Sequence, residues 1–308
     1  SEQAIDAIRV RWQEDPELPS DSDFPGILKE NAREMVILRE EGSLAEAFAK
    51  ADHVLEGSYF IPYVANAPME PSAAVASWDD GKLTVWSGDR SPFGVRDELA
   101  RSLDLSEDRI RVIAPEIGGS FGTKGTVGVA YEAALLSKAA GRPVRVAHSR
   151  AEEFMWGTVR PATLIEIRSG FQADGKIVAW DCTAYHTGDL AIRGQRGADT
   201  PYDTPTVRIA VADCASPLKS GSYRSLGCAA NHFAREVHID EIAASLKMDP
   251  VEFRIMNLTN PRLLRVLKQT ADRFGWDSSR AEASVGIGVA IGYDAGSYVA
   301  ECVELVVQ

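Results

Sequence analysis

Alternating apolar and polar positions predict β-hairpins in two parts of the chain. In the stretch 73–88, two runs rich in β-branched and aromatic residues are joined by the turn sequence DDG, whose residue types favour tight reversals. The stretch 162–185 shows the same arrangement around a DG turn. Other strands are predicted at 53–63, 108–115, 142–149 and 206–214, and as glycine-interrupted strands over 285–308.

Apolar residues at helical spacing predict a second set of elements between these strands. The stretch 43–52 is a short amphipathic helix with Ser43 as its N-cap, and the helix over 126–140 ends at Gly141. Further helices are predicted at 92–103, 231–248, 249–258 and 261–276. Because helices and hairpins are mixed without strict βαβ alternation, the pattern predicts an α+β fold of mixed sheets with packed helices.

The beginning of the chain differs from the rest. A strand over 4–12 is compatible with its pattern, but the residues that follow are polar and rich in proline. The first fifty residues are therefore unlike the strand-rich part of the chain that follows.

Composition excludes several classes of protein. A net charge of -12 over 308 residues argues against a nucleic-acid partner. The sequence contains no run of eighteen apolar residues, so it predicts no membrane-spanning helix. The four cysteines and five histidines show neither C-x-x-C nor HExxH spacing, so no protein-ligated metal site is predicted.

The stretch PEIGGSFGTKG, residues 115–125, is the main candidate for chemistry. It does not match a P-loop, because Lys124 is followed by glycine and not by Ser or Thr. Nor does it match the spacing of the dinucleotide fingerprint. Two interpretations remain open. One is a plain tight turn between strand 109–114 and helix 126–140. The other is a cradle of backbone N–H groups that holds an anionic cofactor, with Phe121 as an apolar wall.

Several segments together resemble the molybdenum-binding subunit of the xanthine dehydrogenase and aldehyde oxidase family. They are NAPMEPSAAVASWDDGKLTVWSG, SPFGVR, RIRVIAPEIGGSFGTKG, AALLSKAAGRPVRV and SGSYRSLGCAANHFAREVHIDEIAASLKMDPVEFRIMNL. The resemblance runs in the family's order from about residue 43 to the end of the chain. EEFMWGTVRPA and SYRSLGCAANHFARE are most similar to the branch of isoquinoline 1-oxidoreductases and related bacterial aldehyde dehydrogenases. The fold implied is the molybdopterin-binding domain of that family. The resemblance also implies three parts: residues 1–45 are the tail of a preceding α/β domain with a linker, 46–284 are the first molybdopterin-binding domain, and 285–308 are the start of the second.

The resemblance implies two cofactor-binding segments. The family's G-G-x-F-G loop lies against the molybdenum centre and its pterin, and its F-R-G-F-G segment supplies an arginine to the cofactor region. In this chain the first motif corresponds to Gly118, Gly119, Ser120, Phe121 and Gly122, and the second to Tyr223, Arg224, Ser225, Leu226 and Gly227. Phe121 and Leu226 are also implied to face the substrate.

Three departures from the family pattern qualify this assignment. Leu226 replaces an aromatic residue that clamps flat heterocycles in purine-oxidising members, which argues against xanthine as the substrate. Arg90 stands where many relatives have a glutamine that donates to the molybdenum centre. Arg90 either donates in the same way or pairs with Asp89 in a displaced loop. The family's general-base glutamate is expected outside this chain, because Glu70, Glu301 and Glu304 do not correspond to it.

The implied function is part of a molybdenum hydroxylase that oxidises an aldehyde or an N-heteroaromatic substrate. Water is the oxygen source, and electrons pass to iron–sulfur clusters. The implied cofactor is molybdenum–molybdopterin, often in its cytosine dinucleotide form. The implied partners are the rest of the molybdenum subunit, an iron–sulfur subunit or domain and, in many relatives, a subunit with FAD. The expected location is the cytoplasm, with the periplasm as an alternative. A competing hypothesis is a non-catalytic or split fragment that acts as a scaffold or assembly piece.

Overall fold

The structure is a computed structural model that describes residues 7–11, 13, 23–125, 127–187, 194–277 and 284–306. Eight helices lie wholly within these ranges: α1 (Phe24–Glu30), α2 (Leu44–Lys50), α3 (Pro92–Leu103), α4 (Gly128–Ala140), α5 (Arg150–Trp156), α6 (Cys228–Ser245), α7 (Pro250–Asn257) and α8 (Pro261–Phe274). None of the helices in the described part is long and apolar enough to cross a membrane.

The described strands form four sheets. They are β1 (Ala32–Glu41), β2 (His53–Ile61), β3 (Val64–Ala65), β4 (Ala73–Asp79), β5 (Lys82–Ser87), β6 (Ile110–Ile113), β7 (Val144–Ala147), β8 (Val159–Arg160), β9 (Thr163–Phe171), β10 (Ile177–Thr187), β11 (Val207–Cys214), β12 (Val285–Asp294) and β13 (Ser297–Val306). The two large sheets have the strand orders β1-β11-β10-β9-β2 and β6-β5-β4-β7. The strand pairs β3–β8 and β12–β13 stand apart from them.

The larger core lies between the five-stranded sheet and α6. In this sheet β10 and β11 are parallel, and the other neighbours are antiparallel. Trp180 of β10 and Ile165 of β9 belong to the same buried cluster as Ile239 and Ile242 of α6. Burying side chains of this size stabilises the fold by about 2 kcal/mol each. The sheet and α6 therefore form a rigid base beneath the segments that precede α6.

The four-stranded sheet has its own core and sets the position of two loops. Leu83 and Val85 of β5 pack with Leu99 of α3 and Ala133 of α4. β5 and β6 are parallel neighbours, whereas β4 runs antiparallel to both β5 and β7. Because the carboxyl ends of parallel neighbours lie at the same edge of a sheet, the segments that follow β5 and β6 leave the sheet side by side.

A buried ionic network joins α6 to α7 and to the hairpin β12–β13. The carboxylate of Glu236 accepts from the guanidinium groups of Arg235 and Arg254, each at 3.0 Å. It also accepts from the hydroxyl of Tyr202 at 3.0 Å and from the amide of Ile291 in β12 at 3.1 Å. Every hydrogen-bonding partner of this buried carboxylate is a donor, which compensates for its removal from water.

The structure confirms the predicted fold class and most of the predicted elements. The hairpins at 73–88 and 162–185 are β4–β5 and β9–β10. The helix predicted at 43–52 is α2, and the hydroxyl of Ser43 accepts from the amide of Glu46 as an N-cap. The prediction of a strand over 4–12 is wrong at the positions 8–11 that the structure describes, because these residues have no regular secondary structure. Its other positions, apart from residue 7, lie outside the described residues.

One strand of the large sheet was not predicted. β1 contains Met35, Val36, Ile37 and Leu38 in succession, and all four side chains are exposed. A consecutive apolar run does not show the period-two pattern that predicts a half-buried strand. β1 pairs with β11 and belongs to the same sheet as β2. The division of the chain at residues 45 and 284 stays a prediction.

Two buried histidines and one half-buried histidine predict a loss of stability in mild acid. Burial lowers the pKa of His186, His232 and His238 to about 4. The ring of His238 lies between the hydroxyls of Tyr59 and Ser169, at 2.8 Å from each. Between the unfolded pKa of about 6.5 and the folded pKa of about 4, the unfolded chain binds more protons, so stability falls as the pH falls.

We expect each of these histidines to lower the free energy of unfolding by on the order of 2 to 3 kcal/mol across that range of pH. Urea unfolding between pH 7 and pH 4 measures the slope. His238→Gln should flatten the slope, whereas His53→Gln, at an exposed position, should leave it unchanged. An equal slope in His238→Gln and the unmodified chain would contradict this assignment.

Candidate cofactor-binding site

The glycine-rich segment leaves the four-stranded sheet after β6 and ends at the start of α4. The segment that contains Arg90 leaves the adjacent parallel strand β5 at the same edge. The main-chain amide of Arg90 donates to the carbonyl oxygen of Lys124 at 3.1 Å. The two loops are therefore held together by their backbones, as the strand order requires.

The backbone of the glycine-rich segment bends repeatedly into left-handed conformations. Gly119 has φ +92° and Gly122 has φ +117°, which glycine adopts without steric cost. Phe121 and Lys124 also have positive φ, at 53° and 51°, and such positions cost non-glycine residues about 1 to 2 kcal/mol each. Strain of this kind is typical of sites whose geometry serves a ligand.

Phe121 is the point at which the two predicted cofactor segments meet. Its carbonyl oxygen accepts from the main-chain amide of Arg224 at 2.8 Å and from the side-chain amide of Asn66 at 2.7 Å. The same nitrogen of Asn66 reaches the carbonyl oxygen of Ser222 at 3.1 Å. Asn66 is buried, so these bonds exchange little with water. The structure thus brings segments 118–122 and 222–226 into direct contact.

Arg90 also supports the glycine-rich segment. One of its Nη atoms donates to the carbonyl oxygen of Gly122 at 3.2 Å. Asp89 is buried and accepts from the hydroxyl of Ser87, so the alternative in which Arg90 pairs with Asp89 is not observed among the described residues. Burial raises the pKa of Asp89 above its ordinary value. Arg90 lies beside the predicted cofactor loop and bonds to its backbone.

Glu70 and Lys124 form an ion pair that sequence reasoning did not identify. A single oxygen of Glu70, Oε2, accepts from the amide of Gly118 at 2.6 Å and from the ammonium of Lys124 at 3.0 Å. These hydrogen bonds lower the pKa of Glu70, the bond from Gly118 more than that from Lys124. In the sequence, Lys124 stood out only because its neighbour does not match a P-loop. No local pattern pairs it with Glu70, which lies far away in the sequence.

Several donors at the junction of these segments have no acceptor within the described residues. They are the main-chain amides of Gly119, Ser120, Phe121 and Gly122 and the guanidinium of Arg224. The Arg224 side chain is exposed, and the ring of Phe121 is 46% exposed. The four amides belong to one segment, and Arg224 belongs to the segment that contacts it. Unpaired amides and guanidinium groups are donors that attract anions.

The remaining residues of the second segment lie close behind. The ring of Tyr223 lies under the guanidinium of Arg160, at 5.2 Å from its centroid. Ser225 and Leu226 have positive φ and form the turn that leads into α6. Leu226 is half-buried beside His186. The turn at Ser225 and Leu226 thus connects Arg224, at the junction, to the rigid helix below.

A cleft of about 480 Å³ opens beside this junction. Gly122 to Gly125, Arg90, the start of α4 and Ser220 to Ser222 line it, together with Trp156 and Lys219. The volume is in the range of small-molecule and cofactor sites. Of the junction residues, Gly122 and Ser222 line this cleft. Arg90 and Lys219 are cationic lining residues, Asp89 and Glu132 are acidic ones, and Trp156 offers an aromatic face. The cationic and aromatic side chains are compatible with an anionic group attached to a flat ring system.

Two glycines of the segment allow close packing against neighbouring parts of the chain. A Cβ atom on Gly122 would overlap the carbonyl of Ser222 and lie 2.8 Å from Cα of Tyr223. One on Gly118 would lie 2.6 Å from Cβ of Glu70. Only residues without side chains allow the segments to pack this closely. The close packing of these segments is compatible with a cofactor that is held by backbone donors.

The glycine-rich bend, next to Arg90 and the Arg224 segment, is compatible with a domain that binds an anionic cofactor. Residues 28–258 match the family model described as "Molybdopterin cofactor-binding domain". The match covers more than half of the chain, so the chain belongs to the molybdopterin cofactor-binding domain family. The resemblance to the xanthine dehydrogenase and aldehyde oxidase family is confirmed by this match and by the relatives below.

Relatives of known sequence are components of oxidoreductases. The chain is 34% identical over 297 residues to a nicotinate dehydrogenase subunit of Pseudomonas putida, and covers 25% of it with 89% of its own length. It is 32% identical over 280 residues to the aldehyde oxidoreductase molybdenum-binding subunit PaoC of Escherichia coli O157:H7, covering 38% of it with 82% of its own length. It is 29% identical over 275 residues to the beta subunit of isoquinoline 1-oxidoreductase of Brevundimonas diminuta, covering 35% of it with 82% of its own length.

Solved structures share the fold. Quinoline 2-oxidoreductase from Pseudomonas putida 86 superposes with a TM-score of 0.79 and 24% identity, over 94% of this chain and 43% of that chain. The aldehyde oxidoreductase from Desulfovibrio gigas gives a TM-score of 0.73 and 24% identity, over 85% of this chain and 32% of that chain. This chain therefore spans less than half the length of these proteins.

Proposed function

We propose that this chain is the cofactor-binding part of a molybdenum hydroxylase that oxidises an aldehyde or an N-heteroaromatic compound. Water supplies the oxygen, and electrons pass to iron–sulfur clusters. The observation that carries the proposal is the junction at Phe121, where the glycine-rich segment, the Arg224 segment and Arg90 converge beside free donors. The relatives named above support the choice of oxidoreductase class, because aldehyde and N-heteroaromatic names occur among them.

The proposal gives each residue at the junction a separate role. The amides of Gly119, Ser120, Phe121 and Gly122 donate to the cofactor, and the guanidinium of Arg224 pairs with one of its anionic groups. Arg90 holds the loop through Gly122 and presents positive charge beside it. Tyr223 and Ser225 fix the backbone on either side of Arg224.

Substrate contacts are proposed for two apolar side chains. The exposed ring of Phe121 offers a flat face against an aromatic or carbonyl substrate. Leu226 takes the place of an aromatic residue and leaves a wider, less selective wall. When bound, the molybdenum cofactor supplies two-electron oxidation of the substrate. The base that accepts a proton during this oxidation is assigned to a glutamate outside this chain.

Further details belong to the same proposal. The cofactor is the cytosine dinucleotide form of molybdopterin, and the rest of the molybdenum subunit completes the pocket. An iron–sulfur subunit or domain accepts the electrons, and a flavin subunit with FAD follows it. The enzyme works in the cytoplasm. Residues 46–284 form the first molybdopterin-binding domain, 1–45 the end of the domain before it, and 285–308 the start of the second.

Removing the free guanidinium tests the proposal. Arg224→Ala in the complete enzyme should lower molybdenum and pterin content by about tenfold to a hundredfold, because a hydrogen bond to a charged group contributes about 1.5 to 3 kcal/mol. Metal analysis and pterin fluorescence measure both contents. Arg265→Ala is the matched control, because Arg265 is an exposed arginine of α8 in another part of the fold.

The outcomes separate the proposal from its competitor. Normal cofactor content in Arg224→Ala removes the role given to this residue. An unmodified complete complex that carries no molybdenum after expression with molybdate contradicts the proposal as a whole. That result would favour the non-catalytic scaffold.

A further inference from the structure

The carboxylate of Glu70 is bonded to both ends of the glycine-rich loop. Its Oε2 accepts from the amide of Gly118, where the loop begins, and from the ammonium of Lys124, where it ends. The amide of Glu70 donates back to the carbonyl oxygen of Gly118 at 3.1 Å. Glu70 and Gly118 therefore form a reciprocal bridge, and Lys124 extends it across the loop.

Lys124 carries a cost in folding free energy at this position, through both its side chain and its backbone. Its side chain is only 3% exposed, and its backbone has φ +51°. Burying an ammonium costs several kcal/mol unless a carboxylate compensates for it. Glycine would adopt this φ without strain. A neutral residue would avoid the desolvation, so the pair is not explained by stability alone.

Two acidic groups face the ammonium. Glu70 bonds to it directly, and the charge of Lys124 partly offsets the effect of burial on the pKa of Asp89. Asp89 follows β5, next to Arg90, whose amide donates to the carbonyl oxygen of Lys124. The side chain and the backbone of Lys124 thus connect the glycine-rich loop to the segments after β5 and before β4.

We propose that Glu70 and Lys124 are positioning residues for cofactor retention. By closing the loop from Gly118 to Lys124 with one ion pair, they hold the amides of residues 119–122 at the spacing that the cofactor requires. The inference rests on the proposed function, because it concerns the same cofactor. It assigns the pair no contact with the cofactor and no part in the reaction.

Graded substitutions in the complete loaded enzyme test the pair. Glu70→Gln keeps an oxygen acceptor for Gly118 and removes the charge, whereas Glu70→Ala removes both. Lys124→Met keeps the length of the side chain without its charge. We expect cofactor release, followed by loss of molybdenum during dialysis, to be fastest in Glu70→Ala and Lys124→Met, about tenfold above the unmodified enzyme. Glu70→Gln should fall between them and the unmodified enzyme.

A second readout distinguishes positioning from a general structural role. The EPR spectrum of the reduced metal should change in Lys124→Met, because displaced amides alter the surroundings of the metal. The double variant Glu70→Gln with Lys124→Met should release cofactor no faster than Lys124→Met alone, since the pair acts as one unit. Lys29→Met is the control, because Lys29 forms an exposed pair with Glu166 at 2.9 Å elsewhere.

Two results would overturn the inference in different ways. If the unmodified enzyme holds molybdenum and all three single variants release it at the unmodified rate with unchanged spectra, the positioning role is wrong and the proposed function stands. If the unmodified enzyme binds no molybdenum, the proposed function fails and the inference fails with it. Glu70→Gln keeps the hydrogen bond from Gly118. If the other variants do not fold, the release rate of Glu70→Gln tests the positioning role.

Discussion

Gly122→Ala is expected to abolish cofactor binding while leaving the two sheets folded. A Cβ atom at this position meets the carbonyl group of Ser222 and lies 2.8 Å from Cα of Tyr223. These are backbone atoms, so no side chain can rotate away to make room. The φ of +117° is also outside the range that alanine adopts readily. The substitution must therefore push apart the segments that meet at Phe121.

The expected result is a loss of at least about tenfold in molybdenum content per chain, because the separation breaks the bonds from Arg224 and Asn66 to the Phe121 carbonyl. Metal analysis and near-ultraviolet circular dichroism measure cofactor content and folding on the same sample. Gly141→Ala is a matched control. Gly141 also has positive φ, +61°, but a Cβ atom there meets nothing within 4 Å. Equal cofactor content in both variants would contradict the proposed contact.

Glu236→Ala is expected to cause the largest loss of stability. The substitution leaves the buried guanidinium groups of Arg235 and Arg254 without their shared carboxylate. Burial opposes ionisation of Glu236, but the two arginines outweigh it and lower the pKa of the carboxyl. Removing one member of such a network costs about 3 to 5 kcal/mol. A loss of this size is comparable to the total stability of many domains.

In Glu236→Ala, the hairpin β12–β13 should be the first part of the fold to lose stability. The amide of Ile291 donates to Glu236, and its carbonyl oxygen accepts from Arg235 at 3.4 Å. Urea unfolding gives the free energy, and hydrogen exchange at Ile291 reports on the hairpin. Glu252→Gln changes an exposed carboxyl of α7 and should alter stability by less than about 0.5 kcal/mol. A similarly small effect in Glu236→Ala would refute the importance of the network.

Local patterns predicted most of the fold, because the turn residues and the spacing of apolar positions identify one helix or one hairpin at a time. The turn sequences DDG and DG located β4–β5 and β9–β10, and apolar residues at helical spacing located α7 and α8. β1 was missed because its apolar residues are consecutive and do not alternate with polar ones. Its strand character comes from pairing with β11, which lies far away in the sequence.

The site was predictable only in part, for a related reason. The glycine-rich segment is visible in the sequence because close backbone approach requires glycine. Arg224 and Arg90 were found through the family resemblance, since a lone arginine has no local signature. Asn66 and Glu70 were not recognised. Asn66 bonds to Phe121 and Ser222, and Glu70 to Gly118 and Lys124, across long sequence separations that no local pattern encodes.

A crystal structure of the complete, molybdenum-loaded enzyme tests the central claim most directly. The account predicts that the amides of residues 119–122 and the guanidinium of Arg224 lie within about 3.2 Å of acceptor atoms of the cofactor. It also predicts that Glu70 remains bonded to Gly118 and Lys124. A cofactor bound in another part of the enzyme, with the bend at Phe121 facing solvent or protein alone, would contradict it.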